Sequence, residues 1–205
     1  MIRYTKKTRD ILNFIDKYGF ITTRICSNIF YKDSRYGVDM ARRTLTKLVN
    51  NKDLVSNSLK YGKELVYQFK KETVSDHKYY LLNLYGEINK LVSEVLYFKL
   101  EERWDIAQKR SDAHIIFKNK IDGEDIPRSY LIEFDKFHKS ELNKYDLIYA
   151  TGEVQEWYKQ NYYQDDYFPD ILIINYNGKT NNDSGNFRKI GLDFNFTNLN
   201  QKVIL

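Results

Sequence analysis

The order of secondary-structure signals in the first third of the chain is the strongest constraint on its fold. Apolar residues recur with helical spacing in three segments: 8–18, 22–30 and 38–50. Two short β-type runs, 54–59 and 64–69, follow these segments and flank a turn that contains Gly62. Three helices followed by a hairpin predict a winged helix-turn-helix domain over residues 1–72.

Short-range signals set the expected boundaries of these helices. Thr8 is the expected N-cap of the first helix, and Gly19 is expected to end it. Thr22 or Thr23 is expected to cap the second helix. The third helix is expected to bury one apolar face made of five residues: Val38, Ala41, Leu45, Leu48 and Val49.

Basic charge is concentrated in this predicted domain. Residues 1–75 contain 16 Lys and Arg against 7 Asp and Glu, a net charge of +9. Residues 76–205 contain 17 against 21, a net charge of −4. A basic N-terminal module is the electrostatic footprint of a nucleic-acid-binding domain, although a merely solvated surface is the simpler alternative.

The third helix is the expected recognition helix for double-stranded DNA. The candidate DNA-binding residues lie on this helix, just before it and at the tip of the hairpin: Arg35, Arg42, Arg43, Thr46, Lys47, Lys60, Tyr61 and Lys63. Arg42 and Arg43 are adjacent and point about 100° apart, so one of them can face solvent instead of DNA. Some winged helices bind protein, and that alternative stays open.

The remaining two thirds predict an α/β domain over residues 77–205, after a polar linker at 70–76. A helix is expected over 77–94, and the segment 95–104 is either a strand or an extension of that helix. The other expected elements are strands at 112–118, 129–135 and 168–177, a helix within 140–158 and an edge strand at 187–194. This order predicts a small mixed sheet, and an α+β fold for the whole chain.

Three carboxylates in this domain form a candidate catalytic or metal site. Asp112 opens one predicted strand, and Glu133 and Asp135 share a face of the next because strand side chains alternate. If these strands are neighbours, the carboxylates converge and can bind Mg²⁺ or Mn²⁺, which prefer oxygen ligands. A metal ion with a nearby lysine can polarise a phosphodiester and activate water.

The order and spacing of these residues resemble the PD-(D/E)xK nuclease arrangement, with two departures. Asp135 stands where the lysine is expected, and Ser111 replaces the usual proline. Lys144, on the following helix, is the candidate substitute for the missing lysine. The alternative is a partly buried ion network in which Glu133 and Asp135 pair with Lys144, Lys139 or Arg128. The histidines show no metal-ligand spacing.

Several short motifs together resemble the replication-relaxation family of plasmid and mobile-element proteins. The helix-turn-helix head is followed by "SDAHIIF", "YLIEFD", "NKYDLIY" and "YFPDILII", over about residues 5–176. The resemblance implies a DNA-binding accessory role in plasmid replication, DNA relaxation or conjugative transfer, on a degenerate nuclease-like fold and without a proven reaction. It implies relaxase or replication proteins, or a second copy of the chain, as partners.

Composition limits the cellular compartments in which the protein is expected. The apolar runs are too short for a membrane span, and the N-terminus lacks the apolar region of a secretory signal. Cys26 is the only cysteine, so a reducing cytoplasm is expected. The main hypothesis is a DNA-binding protein that needs no cofactor. The alternatives are a divalent-metal-dependent DNA endonuclease or nickase, and a transcriptional regulator with a ligand-sensing domain.

Overall fold

The computed structural model describes residues 4–59, 64–136, 143–180 and 186–204. The chain divides into two compact units, Met1–Lys90 and Leu91–Leu205. Each unit contains helices and its own sheet, so the chain is α+β, as the sequence predicts.

The first unit consists of four helices and a small antiparallel sheet. Its helices are α1 (Lys6–Tyr18), α2 (Thr23–Phe30), α3 (Gly37–Asn50) and α4 (Asp76–Leu91). Its strands are β1 (Ile21–Thr22), β2 (Val55–Ser58) and β3 (Leu65–Gln68), in the order β1-β3-β2. The predicted hairpin is therefore present as β2 and β3. The two-residue strand β1 is an addition that no sequence signal indicated.

Hydrogen bonds at the helix ends confirm two of the expected caps and correct a third. Thr22 caps α2 by accepting a hydrogen bond from the Ile25 amide at 3.2 Å. Gly19 ends α1 in the left-handed region, with φ of 82°. The expectation for Thr8 is wrong, because Thr5 is the N-cap of α1 and its hydroxyl accepts from the Thr8 amide.

The buried face of α3 differs from the expected one at its first residues. Ala41, Leu45 and Leu48 are buried, whereas the Val38 side chain is 51% exposed. Gly37 is buried instead, and a Cβ on Gly37 would lie 2.7 Å from the Tyr31 carbonyl oxygen. This close approach sets the rotation of α3, and that rotation turns Val38 outward.

Helix α4 packs within the first unit, not the second. A Cβ on Gly86 would lie 3.5 Å from Cα of Ile25, and the rings of Phe14 and Tyr85 stack with centroids 6.2 Å apart. The boundary between the two units therefore falls at the C-terminal end of α4 and not within residues 72–77.

The second unit is built on a five-stranded mixed sheet in the order β4-β5-β6-β7-β8. The strands are β4 (Glu94–Trp104), β5 (Lys109–Ile121), β6 (Glu124–Asp135), β7 (Asp170–Asn175) and β8 (Lys189–Leu192). β4, β5 and β6 are antiparallel, and β6, β7 and β8 are parallel. α5 (Asn143–Thr151) and α6 (Glu153–Tyr162) connect β6 to β7.

Three local features of this unit refine the sequence predictions. Residues 95–104 are a strand and not an extension of the preceding helix, because β4 begins at Glu94. The expected single helix is two helices, since Gly152 takes a left-handed φ of 69° between them. β5 and β6 are joined by a tight turn in which Asp122 and Gly123 both have positive φ.

The central part of the sheet of the second unit is buried on both faces, whereas the edge strand β4 has many exposed residues. α5 and α6 cover one face through a core that includes Leu131, Tyr145 and Tyr158. A π-helical turn, Asn200–Ile204, hydrogen-bonds the other face, where the Tyr130 hydroxyl donates to the Val203 carbonyl oxygen. Burial on both sides explains why β6 reads as a continuous apolar run. Among the described helices, none is long and apolar enough to cross a membrane.

Candidate nucleic-acid interface and carboxylate site

The outward side of α3 carries four of the candidate DNA-binding residues. Arg42, Arg43, Thr46 and Lys47 are all exposed, on the side opposite the buried Ala41 and Leu45 of the helix. Arg42 donates to the Asp39 carboxylate at 3.0 Å, and both of these side chains are more than half exposed. The pairing is weak and reversible at such exposure, so the Arg42 guanidinium can exchange the carboxylate for a phosphate.

The other candidates lie outside α3. Arg35 is exposed in the turn before the helix, and its guanidinium lies 4.5 Å from the centroid of the Tyr36 ring. Lys60, Tyr61 and Lys63 lie outside the described residues, so their contribution to DNA binding stays a prediction.

An open groove of about 640 Å³ lies beside this side of α3. Its lining comes from α2, α3 and the hairpin: Thr23, Arg24, Asn28, Val38, Arg42, Thr46, Glu64, Leu65 and Tyr67. Arg24, which sequence reasoning missed, lies in the first turn of α2 and pairs with Glu87 at 2.6 Å. The available signal was a basic residue in the first turn of a helix that begins at Thr23.

The sheet register places Asp112 beside Glu133. Ala113 pairs with Ile132 in the antiparallel β5–β6 ladder. Asp112, one residue before Ala113, therefore lies opposite Glu133, one residue after Ile132. The Asp112 carboxylate accepts a hydrogen bond from the Phe134 amide at 2.8 Å. The expected juxtaposition of these two strands is therefore present.

Glu133 is buried and accepts two strong hydrogen bonds. Its Oε1 atom lies 2.7 Å from Nζ of Lys144 and 2.5 Å from the Tyr145 hydroxyl, and Glu133 is 4% exposed. Burial raises the pKa of Glu133 and the Asp112 charge raises it further, while Lys144 and Tyr145 lower it; the net pKa is above its ordinary value of 4.5. Burial and the Glu133 charge also raise the pKa of Tyr145 well above 10.0.

Lys144 joins the carboxylate pair to the β4–β5 hairpin. Its ammonium also donates to the Arg110 carbonyl oxygen at 2.9 Å. An open groove of about 590 Å³ begins at this lysine and is lined by hairpin residues: Glu101, Arg103, Gln108, Lys109 and Arg110. The interpretation of Lys144 as the residue beside the carboxylates agrees with this geometry. Tyr145, which the sequence analysis does not single out, directly follows Lys144 in the chain.

Asp135 lies farther along β6, where it is half-buried and pairs in register with Asn175 of β7. Among the described residues, no group of three or more His, Cys, Asp or Glu side chains is placed to hold a metal ion. Oε1 of Glu133 already accepts from an ammonium and a phenol. In this arrangement Glu133 and Lys144 form a buried ion pair.

A second buried polar cluster lies on the same side of the sheet. Nε2 of His114 lies 2.6 Å from the Tyr158 hydroxyl, and Nδ1 lies 3.7 Å from Oε2 of Glu102. Glu102 accepts from Tyr97 at 2.6 Å and from Lys99 at 2.7 Å. Burial alone would raise the pKa of Glu102, but His114, Lys99 and Tyr97 lower it to about 2. His114 therefore belongs to a hydrogen-bonded structural network.

Comparison of the chain with protein-family models, with curated proteins and with solved structures finds no match.

Proposed function

We propose that the chain is a sequence-specific double-stranded DNA-binding accessory protein whose first unit is a winged helix-turn-helix. In this proposal α2 and α3 form the helix-turn-helix, and the β2–β3 hairpin is the wing. The observation that supports it most strongly is the outward side of α3. There Arg42, Arg43 and Lys47 are exposed while the opposite side of the same helix is buried.

The shape of α3 and the charge of the first unit together support DNA binding. A single exposed α-helix fits the major groove of B-DNA, and its arginines can donate in pairs to guanine or phosphate. The net charge of +9 over residues 1–75 complements the phosphate backbone. Thr23 and Arg24, in the first turn of α2, lie across the groove from α3, as a backbone-contacting helix requires.

The proposed biological role is inferred from features of the second unit. Its sheet order, with Asp112 and Glu133 on neighbouring strands, is compatible with a degenerate nuclease-like fold that no longer catalyses cleavage. The motifs that resemble the replication-relaxation family support a proposed role in plasmid replication, DNA relaxation or conjugative transfer. Relaxase or replication proteins, or a second copy of the chain, are the proposed partners.

The test is a DNA-binding measurement on a triple variant of α3. A duplex selected from a random pool by the full chain is titrated at several salt concentrations, with Arg42, Arg43 and Lys47 changed together to Ala. We expect the affinity to fall and the log–log salt dependence to flatten by about three units if all three contact phosphate. Normal binding by this variant would contradict the proposal for α3.

A control variant separates the α3 contacts from net charge. Lys17, Lys70 and Lys71 are exposed lysines of the same unit that lie outside α3 and do not line the groove beside it. Changing these three to Ala removes the same charge, and we expect it to leave most of the affinity and of the salt dependence.

A second candidate function is a divalent-metal-dependent DNA endonuclease or nickase. The observation that favours it is the contact of Lys144 with Glu133, beside Asp112 and at the mouth of an open groove. Supercoiled plasmid is incubated with the chain in Mg²⁺ and in Mn²⁺. The candidate requires nicking or cutting that Glu133→Gln abolishes and Glu101→Gln, an exposed carboxylate of the same groove, leaves intact. Uncut plasmid in both metals would reject it.

A further inference from the structure

We propose that Val38 reads the 5-methyl group of a thymine in the major groove, and so makes one position of the DNA site specific for thymine. This inference rests on the proposed DNA binding by the first unit. It adds a base identity and a residue that the basic face of α3 does not provide by itself.

The first turn of α3 is unusually apolar for an exposed surface. Tyr36 is 55% exposed, Val38 51% and Met40 42%, and the three occur within five consecutive residues. Of these three residues, Val38 lines the groove beside Arg42 and Thr46, whereas Met40 lines a separate pocket with Tyr4 and Tyr31. Val38 lies at the end of the helix that would enter the groove, where helix-turn-helix proteins make their base contacts.

Val38 is aligned with the proposed DNA-contacting side chains. Val38, Arg42 and Thr46 are spaced at i, i+4 and i+8, so they form one stripe along α3, and all three line the same open groove. Arg42 supplies charge to this stripe and Thr46 supplies a hydroxyl group. Val38 can supply only apolar contact, so its partner must also be apolar.

Thymine is the base that fits this requirement. In the major groove, the four bases present hydrogen-bond donors and acceptors, and thymine alone adds a methyl group. The neighbouring cations favour DNA over a basic or apolar protein surface as the occupant, because Arg42 and Arg43 follow Val38 within two helical turns and Arg42 lines the same groove. The proposed site therefore contains a thymine next to the position contacted by Arg42.

The experiment removes the methyl group from DNA and the isopropyl group from the protein. A duplex is selected from a random pool with the full chain, and each thymine is replaced in turn by uracil, which lacks only the 5-methyl group. We expect one or two replacements to weaken binding by about fourfold, which corresponds to the loss of one buried methyl contact. In Val38→Ala we expect the difference between thymine and uracil to disappear at one of these positions.

Leu91→Ala is the matched control, because Leu91 is also an exposed aliphatic residue and lies at the end of α4, outside the proposed helix-turn-helix and wing. It should keep the full response to uracil. Equal binding of thymine and uracil duplexes by the unaltered chain would overturn the inference while leaving DNA binding intact. A Val38→Ala variant that changes self-association in sedimentation, and keeps the uracil response, would also overturn it. Failure to bind any duplex would instead reject the proposed function.

Discussion

Nζ of Lys144 lies 2.7 Å from Oε1 of Glu133, and both side chains are largely withdrawn from solvent. Despite this ion pair, the pKa of Glu133 is raised, because burial and the Asp112 charge outweigh Lys144 and Tyr145. A carboxylate in a purely stabilising ion pair would have a lowered pKa. Relative to its protonated form, the ionised form of Glu133 therefore lowers the free energy of unfolding.

The sign of this pH dependence can be tested with Glu133→Gln. Because the folded-state pKa is above 4.5, the protonated carboxyl stabilises the fold at low pH, and this contribution is lost as the pH rises through the folded pKa. We expect the stability of the unaltered protein, relative to Glu133→Gln, to fall as the pH rises from about 4 to 7. Urea unfolding of both proteins across this range measures it, with Glu101→Gln as an exposed control. A relative gain with rising pH would contradict the assignment.

Removing the Lys144 ammonium should lower the free energy of unfolding more than removing the Glu133 charge. Lys144→Met keeps the length of the side chain but leaves Glu133 buried beside Asp112 without its cation. We expect a loss of about 3 kcal/mol in the free energy of unfolding at neutral pH. The double variant with Glu133→Gln should recover most of that loss, and a double-mutant cycle from denaturant unfolding measures the recovery. Additive losses would show that the two residues are not coupled.

The carboxylate site illustrates what a strand pattern can and cannot predict. Alternation along β6 was enough to place Glu133 and Asp135 on one face, but the position of Asp112 beside Glu133 depended on the pairing of β5 with β6, which the alternation does not determine. Tyr145 and Ile148 are the buried residues of α5, as their helical spacing indicates. The hydrogen bond of the Tyr145 hydroxyl could not be predicted, because the spacing does not tell which polar group of the sheet the hydroxyl meets.

The cluster around Glu102 was missed for a different reason. Strict alternation puts Glu102 on the face opposite Tyr97 and Lys99, yet it hydrogen-bonds both. Glu101 takes a left-handed φ of 52°, which interrupts the alternation of β4 just before Glu102. A non-glycine residue in this conformation carries no composition signal, so the sequence could not reveal the change of face.

In the first unit, the sequence predicted individual helices but not the packing of α4 against them. Helical periodicity predicted α1, α2 and α3, and the Gly19 and Thr22 signals gave two of their ends. The assignment of α4 to the first unit depended on contacts of Gly86 and Tyr85 with residues far away in sequence. A polar linker at 70–76 was therefore a poor indicator of the boundary.

Glu102 should show the opposite pH dependence to Glu133. Its pKa is lowered to about 2 from an ordinary 4.5, so its contribution to stability is present above 4.5 and is lost as the pH falls toward 2. Glu102→Gln should reduce the free energy of unfolding at pH 7 by about 2 kcal/mol, because Lys99 and Tyr97 lose a charged acceptor. The difference between the two proteins should shrink steadily below about pH 4.5. A difference that stays constant down to pH 2.5, measured by urea unfolding, would contradict this account.

Two helical glycines of the first unit should respond in opposite directions to the same substitution. At Gly37 a Cβ would lie 2.7 Å from the Tyr31 carbonyl oxygen and 2.9 Å from the Ser27 hydroxyl, so α3 would have to shift. At Gly86 the nearest atom would be Cα of Ile25, at an ordinary contact distance of 3.5 Å. Alanine also favours the helix over glycine by about 1 kcal/mol, and this preference is unopposed only at Gly86.

We therefore expect Gly37→Ala to lower the free energy of unfolding by about 1–3 kcal/mol, as overpacking typically does. Gly86→Ala should leave it unchanged or raise it by up to about 1 kcal/mol. Because Gly37 fixes the rotation of α3, Gly37→Ala should also weaken binding of the selected duplex, whereas Gly86→Ala should not. Thermal unfolding and duplex titration of the two variants, side by side, measure both effects. Equal stability of the two variants would mean that the contact with Tyr31 does not constrain α3.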